Sequence, residues 1–251
     1  NRSYFYPSFN GSLVLTEAFD IKSAVLDYAK IRGGWSKVGK DTSPYRLTNT
    51  YSFSAPFGAS PQLSPSGTDF DPNLKSETTT SSELGAEAVL FNKRLRFDVS
   101  LYNTNSYNQI LNVDVSPSTG FRSKNINAGK INNKGIEVQL GITPVKKQFT
   151  WDIDVNYAAN RSKVVELDQE GLLQNYVIAT NSAQVIATVG QPYGTLFGNA
   201  FLRDGNGNIV VNATGAPQTD PTKRVLGKYT PDWIGGISNT FSYKGFSLGV
   251  L

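Results

Sequence analysis

Leu95-Arg96-Phe97-Asp98-Val99-Ser100-Leu101-Tyr102 is the stretch whose reading decides the fold. Apolar side chains take every odd position from Leu95 to Leu101, while Arg96, Asp98, Ser100 and Tyr102 take the even ones. Successive side chains of a strand point to opposite faces, so this spacing predicts a strand with one apolar and one polar face. Trp151, Ile153, Val155, Tyr157 and Ala159 repeat the pattern against Asp152, Asp154 and Asn156. Ile136, Val138, Leu140 and Ile142 do so against Glu137, Gln139, Gly141 and Thr143. Weaker alternation covers 5–15, 29–35, 84–90, 237–243 and 246–250. The sum is about eight strands, antiparallel where chain neighbours pair.

The connections between these strands are of two kinds. Asn92-Lys93-Arg94, Val145–Gln148 and Lys244-Gly245 are tight turns, whereas 37–76, 110–133 and 163–232 read as long, polar, structureless loops. Soluble domains rarely carry structureless loops beyond about 12–15 residues. Short and long connections alternate strictly, which puts every long loop at one end of the sheet. That is the plan of a bacterial outer-membrane barrel, lipid-facing outside and polar inside. A soluble sheet with one face in a core would alternate in the same way. Its strands, however, would average about 5–6 residues, well short of those read here. Phe91, Phe149, Trp151, Tyr243 and Phe246 also gather near the short turns, as an interfacial aromatic girdle does.

Composition narrows the chemistry. The 251 residues contain no cysteine, histidine or methionine, which excludes disulfides, thiolate chemistry, Cys/His zinc sites and imidazole catalysis. The formal charge of +4 is spread along the chain without a like-charged block, so no nucleic-acid partner is expected and the basic excess reads as solvated surface. No apolar run is long enough for a membrane-spanning helix. The chain opens directly on Asn1-Arg2-Ser3-Tyr4-Phe5, so an exported protein would already have lost its leader. The last strand, 246–251, is too short to close a barrel without leaving an open edge in lipid. The expectation is a slice of a larger barrel.

Four ordered motifs sharpen this reading. Asp71-Pro72-Asn73-Leu74-Lys75-Ser76-Glu77 followed by Glu83-Leu84-Gly85 resembles a loop-to-strand motif of SusC/RagA-type TonB-dependent transporters. Ser118-Thr119-Gly120-Phe121 with Asn127–Glu137, Gly190–Gly198, and Pro231–Gly236 leading to Phe241–Phe246 resemble further segments of that family, in the same order. Asp71 and Ser76 depart from the family's usual Asn and Trp, which weakens any role carried over to that loop. The resemblance implies that residues 1–251 are part of one antiparallel transmembrane β-barrel domain, with the plug and the final strands outside this sequence. It further implies a Gram-negative outer-membrane location, energising by TonB, a SusD-like surface lipoprotein as lid, an oligosaccharide or peptide as cargo, no cofactor and no enzymatic activity. A siderophore-type receptor and a secreted, soluble, β-rich carbohydrate-binding module are the alternatives.

Candidate site residues are few. Tyr45, Tyr51, Phe53, Phe57 and Phe121 lie in the long loops, where they can stack on a ligand, form the loops' own small core, or pack against a lid. Asp204, Asn206 and Asn208 present oxygens at alternate positions, as calcium loops do. The Gly and Glu of an EF-hand are missing, however, and a Gly-Asn-rich turn accounts for the pattern better. Asp152 and Asp154 share a strand face about 6.8 Å apart at about 3.4 Å per residue. A glycosidase could use such a pair, but two ionised groups facing a wet lumen is the simpler reading. Gly33-Gly34 and Gly235-Gly236 open no helix and mark bends or close backbone approach.

Overall fold

The computed structural model describes residues 4–168 and 171–251. The chain runs through β1 (Ser8–Val14), one helical turn, α1 (Leu15–Ala18), and β2 (Leu26–Lys40). Three short strands, β3 (Tyr51–Phe57), β4 (Ser60–Pro65) and β5 (Thr68–Phe70), precede the long pair β6 (Glu77–Leu90) and β7 (Leu95–Tyr107). After β8 (Ile110–Asp114) and β9 (Ser123–Asn127) come the longest strands, β10 (Lys130–Lys146) and β11 (Phe149–Glu166). β12 (Asn175–Thr180), β13 (Gln184–Thr188), β14 (Thr195–Phe201) and β15 (Thr219–Lys228) lead to the closing hairpin, β16 (Ile234–Tyr243) and β17 (Phe246–Val250).

Eight of these strands form one sheet in the order β1-β2-β6-β7-β10-β11-β16-β17, with every neighbouring pair antiparallel. The expected strand number and topology are thus observed. Connections 15–25, 91–94, 147–148 and 244–245 sit at one end of the sheet, and 41–76, 108–129 and 167–233 at the other. In the 91–94 turn Phe91, Asn92 and Lys93 all have positive φ (58°, 56° and 63°), and the Lys93 amide donates to Asp27 Oδ2 at 2.9 Å.

Pairing fixes which side chains share a face. Leu13, Ile31, Ala86, Val99, Val138 and Tyr157 form one row across the sheet, and Ala29, Ala88, Phe97, Leu140, Val155 and Ile237 the next. Val99 and Val155 are therefore on the apolar face, Asp98 and Asp154 on the other, as the alternation required. Along β11 the apolar face runs from Phe149 to Ala159, ten residue steps. Those steps make about 34 Å at about 3.4 Å each. A strand tilt of about 40° reduces that to about 26 Å of height, close to the apolar band of an outer-membrane barrel. Aromatic rings mark both limits. At the turn end Trp151 and Phe149 stack on Phe241, with centroids 5.8 and 6.3 Å apart; at the loop end Phe9 meets Trp35 at 6.2 Å and Tyr157 meets Trp233 at 6.0 Å. Asn239, a polar residue within the band, accepts a hydrogen bond from Trp151 Nε1 at 3.2 Å.

Among the described residues no second layer covers this face. Leu84, Leu101 and Ile237 stay exposed, and the buried apolar residues Leu74, Ala128, Val164, Leu167, Ile186 and Ala187 lie outside it. A soluble sandwich would place its core there. No described helix is long and apolar enough to cross a membrane.

The long connections depart from expectation: they are folded. β5, β9 and β8 make a three-stranded sheet containing a parallel pair, β3 and β4 form a hairpin, and β12 to β15 form a four-stranded sheet. Val164, Leu167 and Ala187 make a small core against Leu111, Leu173, Tyr176, Val189 and Tyr193. The strands also extend further than read, to Lys40 in β2, Glu166 in β11 and back to Lys130 in β10. Beyond the band polar residues occupy both faces of those strands and the few apolar ones, such as Val164, no longer alternate regularly with them, so alternation of hydrophobicity stops marking them.

Candidate functional site

The polar face of the eight-stranded sheet is a lattice of charged and amide side chains. Arg32 on β2 holds Asp98 on β7 through two hydrogen bonds, Nη1 to Oδ2 at 2.8 Å and Nη2 to Oδ1 at 2.7 Å, and Nη2 also donates to Ser100 Oγ at 2.6 Å. β6 lies between these strands, so the guanidinium must cross it. It does so over Gly85, where a Cβ would stand 2.6 Å from Arg32 Nε. The same device recurs twice. Arg96 on β7 crosses β10 over Gly141 to donate to Asp154 Oδ1 at 3.1 Å. Tyr102 crosses β10 over Gly135 to donate to Asn160 Oδ1 at 3.3 Å. Lys30 and Glu87 make a direct neighbour pair at 3.5 Å. A hollow of about 520 Å³ on this face is lined by Glu87, Arg96, Asp98, Gln139, Asp154 and Asn156.

Asp152 and Asp154 do not act as a pair. Asp152 Oδ1 accepts from Thr143 Oγ1 at 2.5 Å, while Asp154 turns to Arg96. The spacing was legible in the sequence. The partners were not, because they depend on register across two strands. A glycine at a polar-parity position of an alternating strand was the available signal.

Above the sheet the first two long connections are tied together. Thr68 Oγ1 and Ser123 Oγ share a hydrogen bond at 3.0 Å, Lys124 pairs with Asp69 at 3.6 Å, and the Asn127 side chain bonds both the N–H and the C=O of Lys75. From this platform the β3–β4 hairpin presents Tyr51 and Phe53 on one face, opposite Pro65 and Leu63. Phe53 is 84% exposed, and Phe57 and Tyr45 are exposed as well. Phe121 is half-buried in the second connection, where the neighbouring Arg122 amide donates to the Gly67 carbonyl. Of the five aromatics, Tyr51 and Phe53 share one face of the hairpin, Tyr45 and Phe57 are exposed, and Phe121 is half-buried next to the residue that joins the two connections.

Asp204-Gly205-Asn206-Gly207-Asn208 is a tight turn between Arg203 and Ile209. Asp204 Oδ1 accepts from the Asn206 and Asn208 amides at 2.9 and 2.8 Å, and Oδ2 accepts from Asn208 Nδ2 at 3.2 Å. The backbone hydrogen bond from Asn208, helped by its side chain, holds the Asp204 carboxyl below the usual carboxylate value. A cation there would have to displace these donors. The next turn repeats the construction: Asn212 Oδ1 accepts from the Thr214 and Ala216 amides at 3.0 and 2.9 Å. In both turns a glycine, Gly207 or Gly215, takes the left-handed position. Deeper in the same connection, burial raises the Tyr193 phenol above its usual value.

An antiparallel sheet that is apolar and rimmed with aromatics on one face, charged on the other and capped by folded loops at one end defines a stretch of barrel wall. The chain matches, over residues 1–248, the family model described as TonB dependent receptor-like, beta-barrel, and it belongs to that family. It is 28% identical to TonB-dependent receptor P26 of Formosa agariphila, across 97% of this chain and 27% of that protein. It is 26% identical to TonB-dependent receptor SusC of Bacteroides thetaiotaomicron, across 98% of this chain and 27% of that protein. The chain thus spans about a quarter of the length of the curated relatives it matches. A solved structure of the RagAB peptide transporter shares its fold, with a TM-score of 0.81 over 99% of this chain and 29% of that one at 22% identity.

Proposed function

We propose that this chain forms part of the wall of an outer-membrane importer, energised through TonB, that takes up an oligomeric nutrient beneath a SusD-like surface lipoprotein. The observation that carries the reading is the sheet's two-facedness: a lipid-matched band about 26 Å high backed by a continuous polar lattice around Arg32, Asp98, Arg96 and Asp154. A lumen of that character admits solutes with many hydroxyl or amide groups, which suits an oligosaccharide or a peptide. The relatives named as TonB-dependent receptors support TonB coupling. The exposed loop aromatics Tyr45, Tyr51, Phe53 and Phe57, together with the half-buried Phe121, are proposed as the surface that meets cargo or lid. Rings stack on sugar faces and on peptide planes alike.

Growth tests the proposal. A strain lacking the parent gene should lose growth on at least one defined oligosaccharide or peptide source and keep growth on the matching monomer. A defect confined to iron limitation would replace this reading with a siderophore receptor. Normal growth on every oligomeric source would reject nutrient import.

A further inference from the structure

The outward face does not end at the apolar band. One row beyond Leu101, Ile136 and Ala159, the same parity of β10 and β11 brings Lys134 directly opposite Arg161, and Lys163 lies one row further on. Like charges directly opposite in a sheet destabilise the pairing. Among the described residues no carboxylate comes within 4.0 Å of Lys134, Arg161 or Lys163, whereas Lys228 reaches Asp232 at 2.5 Å. The Lys130 ammonium lies 5.2 Å from the Tyr107 ring centroid. These groups line a cleft of about 610 Å³ whose charged members are Lys130, Lys134, Arg161, Lys163, Lys228 and Asp232. Five cations and one carboxylate line the cleft, with Glu166 opposite Lys130 in the β10–β11 register, in a chain whose whole formal excess is +4.

Height identifies the occupant. Each further row adds about 6.8 Å along a strand, or about 5 Å of height at a tilt of about 40°. The cations therefore stand about 5 and 10 Å beyond the hydrocarbon boundary. The polar layer on each side of a bilayer is about 5–7 Å thick, so the cations fall at and just above lipid headgroups. Long connections mark this end of the sheet as the cell-exterior side. We propose that this cleft binds the phosphate of a lipid in the outer leaflet around the barrel. The anion bridges Lys134 and Arg161 and removes their repulsion, while the acyl chains lie along Leu101, Ile136 and Ala159. The inference rests on the apolar face meeting lipid, as argued for the importer.

The test uses the full-length transporter. Insertion into liposomes is scored first, by protease protection and by the heat-dependent gel shift of a folded barrel. Failure of the unaltered protein to insert would reject the membrane reading itself. Binding of fluorescent, phosphorylated lipid A in detergent is then measured for the unaltered protein, for single variants Lys134→Gln and Lys163→Gln, for the triple Lys134→Gln/Arg161→Gln/Lys163→Gln, and for Lys147→Gln at the opposite end. We expect the triple variant to bind on the order of a hundredfold more weakly, each single variant to weaken binding by a smaller factor, and Lys147→Gln to leave it unchanged. Dephosphorylated lipid A should bind every form weakly. Equal binding by folded single variants and the unaltered protein would overturn the site. Competition by inorganic phosphate at the same concentration as lipid A would make it a free-anion site and overturn the lipid assignment.

Discussion

Gly85, Gly141 and Gly135 each lie beneath a side chain that reaches past a neighbouring strand to the one beyond. Their worth is therefore the worth of the pair they let through. Arg32 and Asp98 are 28% and 33% exposed, so their bonds are only partly shielded from water. Arg32→Ala should destabilise the barrel by about 1–3 kcal/mol, the usual range for losing hydrogen bonds to a charged partner. Gly85→Ala should cost a similar amount by displacing the guanidinium. In an Arg32→Ala background the same Gly85→Ala should be close to neutral, since nothing is left to displace. Urea unfolding of the full-length protein in bilayers would measure this cycle, and additive losses would show that Gly85 acts otherwise. The sequence displayed these glycines only as gaps in an alternating pattern. Their role depends on which residues face one another two strands apart, and local spacing does not encode that.

At the scale of the strand, adjacent residues should behave as opposites. Leu140 lies in the middle of the apolar band and Gln139 on the polar face. Leu140→Arg should destabilise insertion by about 2–4 kcal/mol, as arginine near the midplane does, and Gln139→Arg should be far milder. Equal effects in a refolding titration would reverse or abolish the face assignment. Gln139 is a better comparator than Asp98, whose loss would also strand Arg32. The turns make a separate, pH-dependent prediction. Because the folded Asp204 carboxyl titrates below 3.8, its contribution is complete above that value and is lost as pH falls through the lower folded value. Amide exchange at Asn206 and Asn208 should stay protected from neutral to mildly acidic pH and lose protection only when Asp204 protonates. Protection that vanished near neutrality would contradict the turn as described. Alternation made the eight strands legible within the band, where lipid-facing and polar environments differ. It failed at Lys134, Arg161 and Lys163, where both faces are wet, and in β12 to β15, whose strands are short and share a core formed between connections. The basic cleft has no local signature either, because its members come from three separate stretches of chain and meet only in the folded structure.

At the scale of the molecule, β1 and β17 each leave one edge of the eight-stranded sheet unpaired within this chain. An unpaired edge beside an apolar face is a template for association. Residues 1–251 expressed alone should therefore self-associate in detergent, whereas the full-length protein should run as a discrete species. A monodisperse monomer of this span in light scattering would argue against the wall described above. The two clasped connections carry a different lesson, one for protein engineering. Because Asn127 bonds both backbone groups of Lys75, and Ser123 and Lys124 hold Thr68 and Asp69, residues 41–76 and 108–129 behave as a single mechanical part. A chimera that borrows one of them from a relative breaks the clasp and should show a loosened, protease-sensitive rim, while one that borrows both should keep it intact. New cargo preferences on this scaffold are thus to be built by transplanting the pair, and natural lineages that traded one of these segments would have had to trade its mate as well.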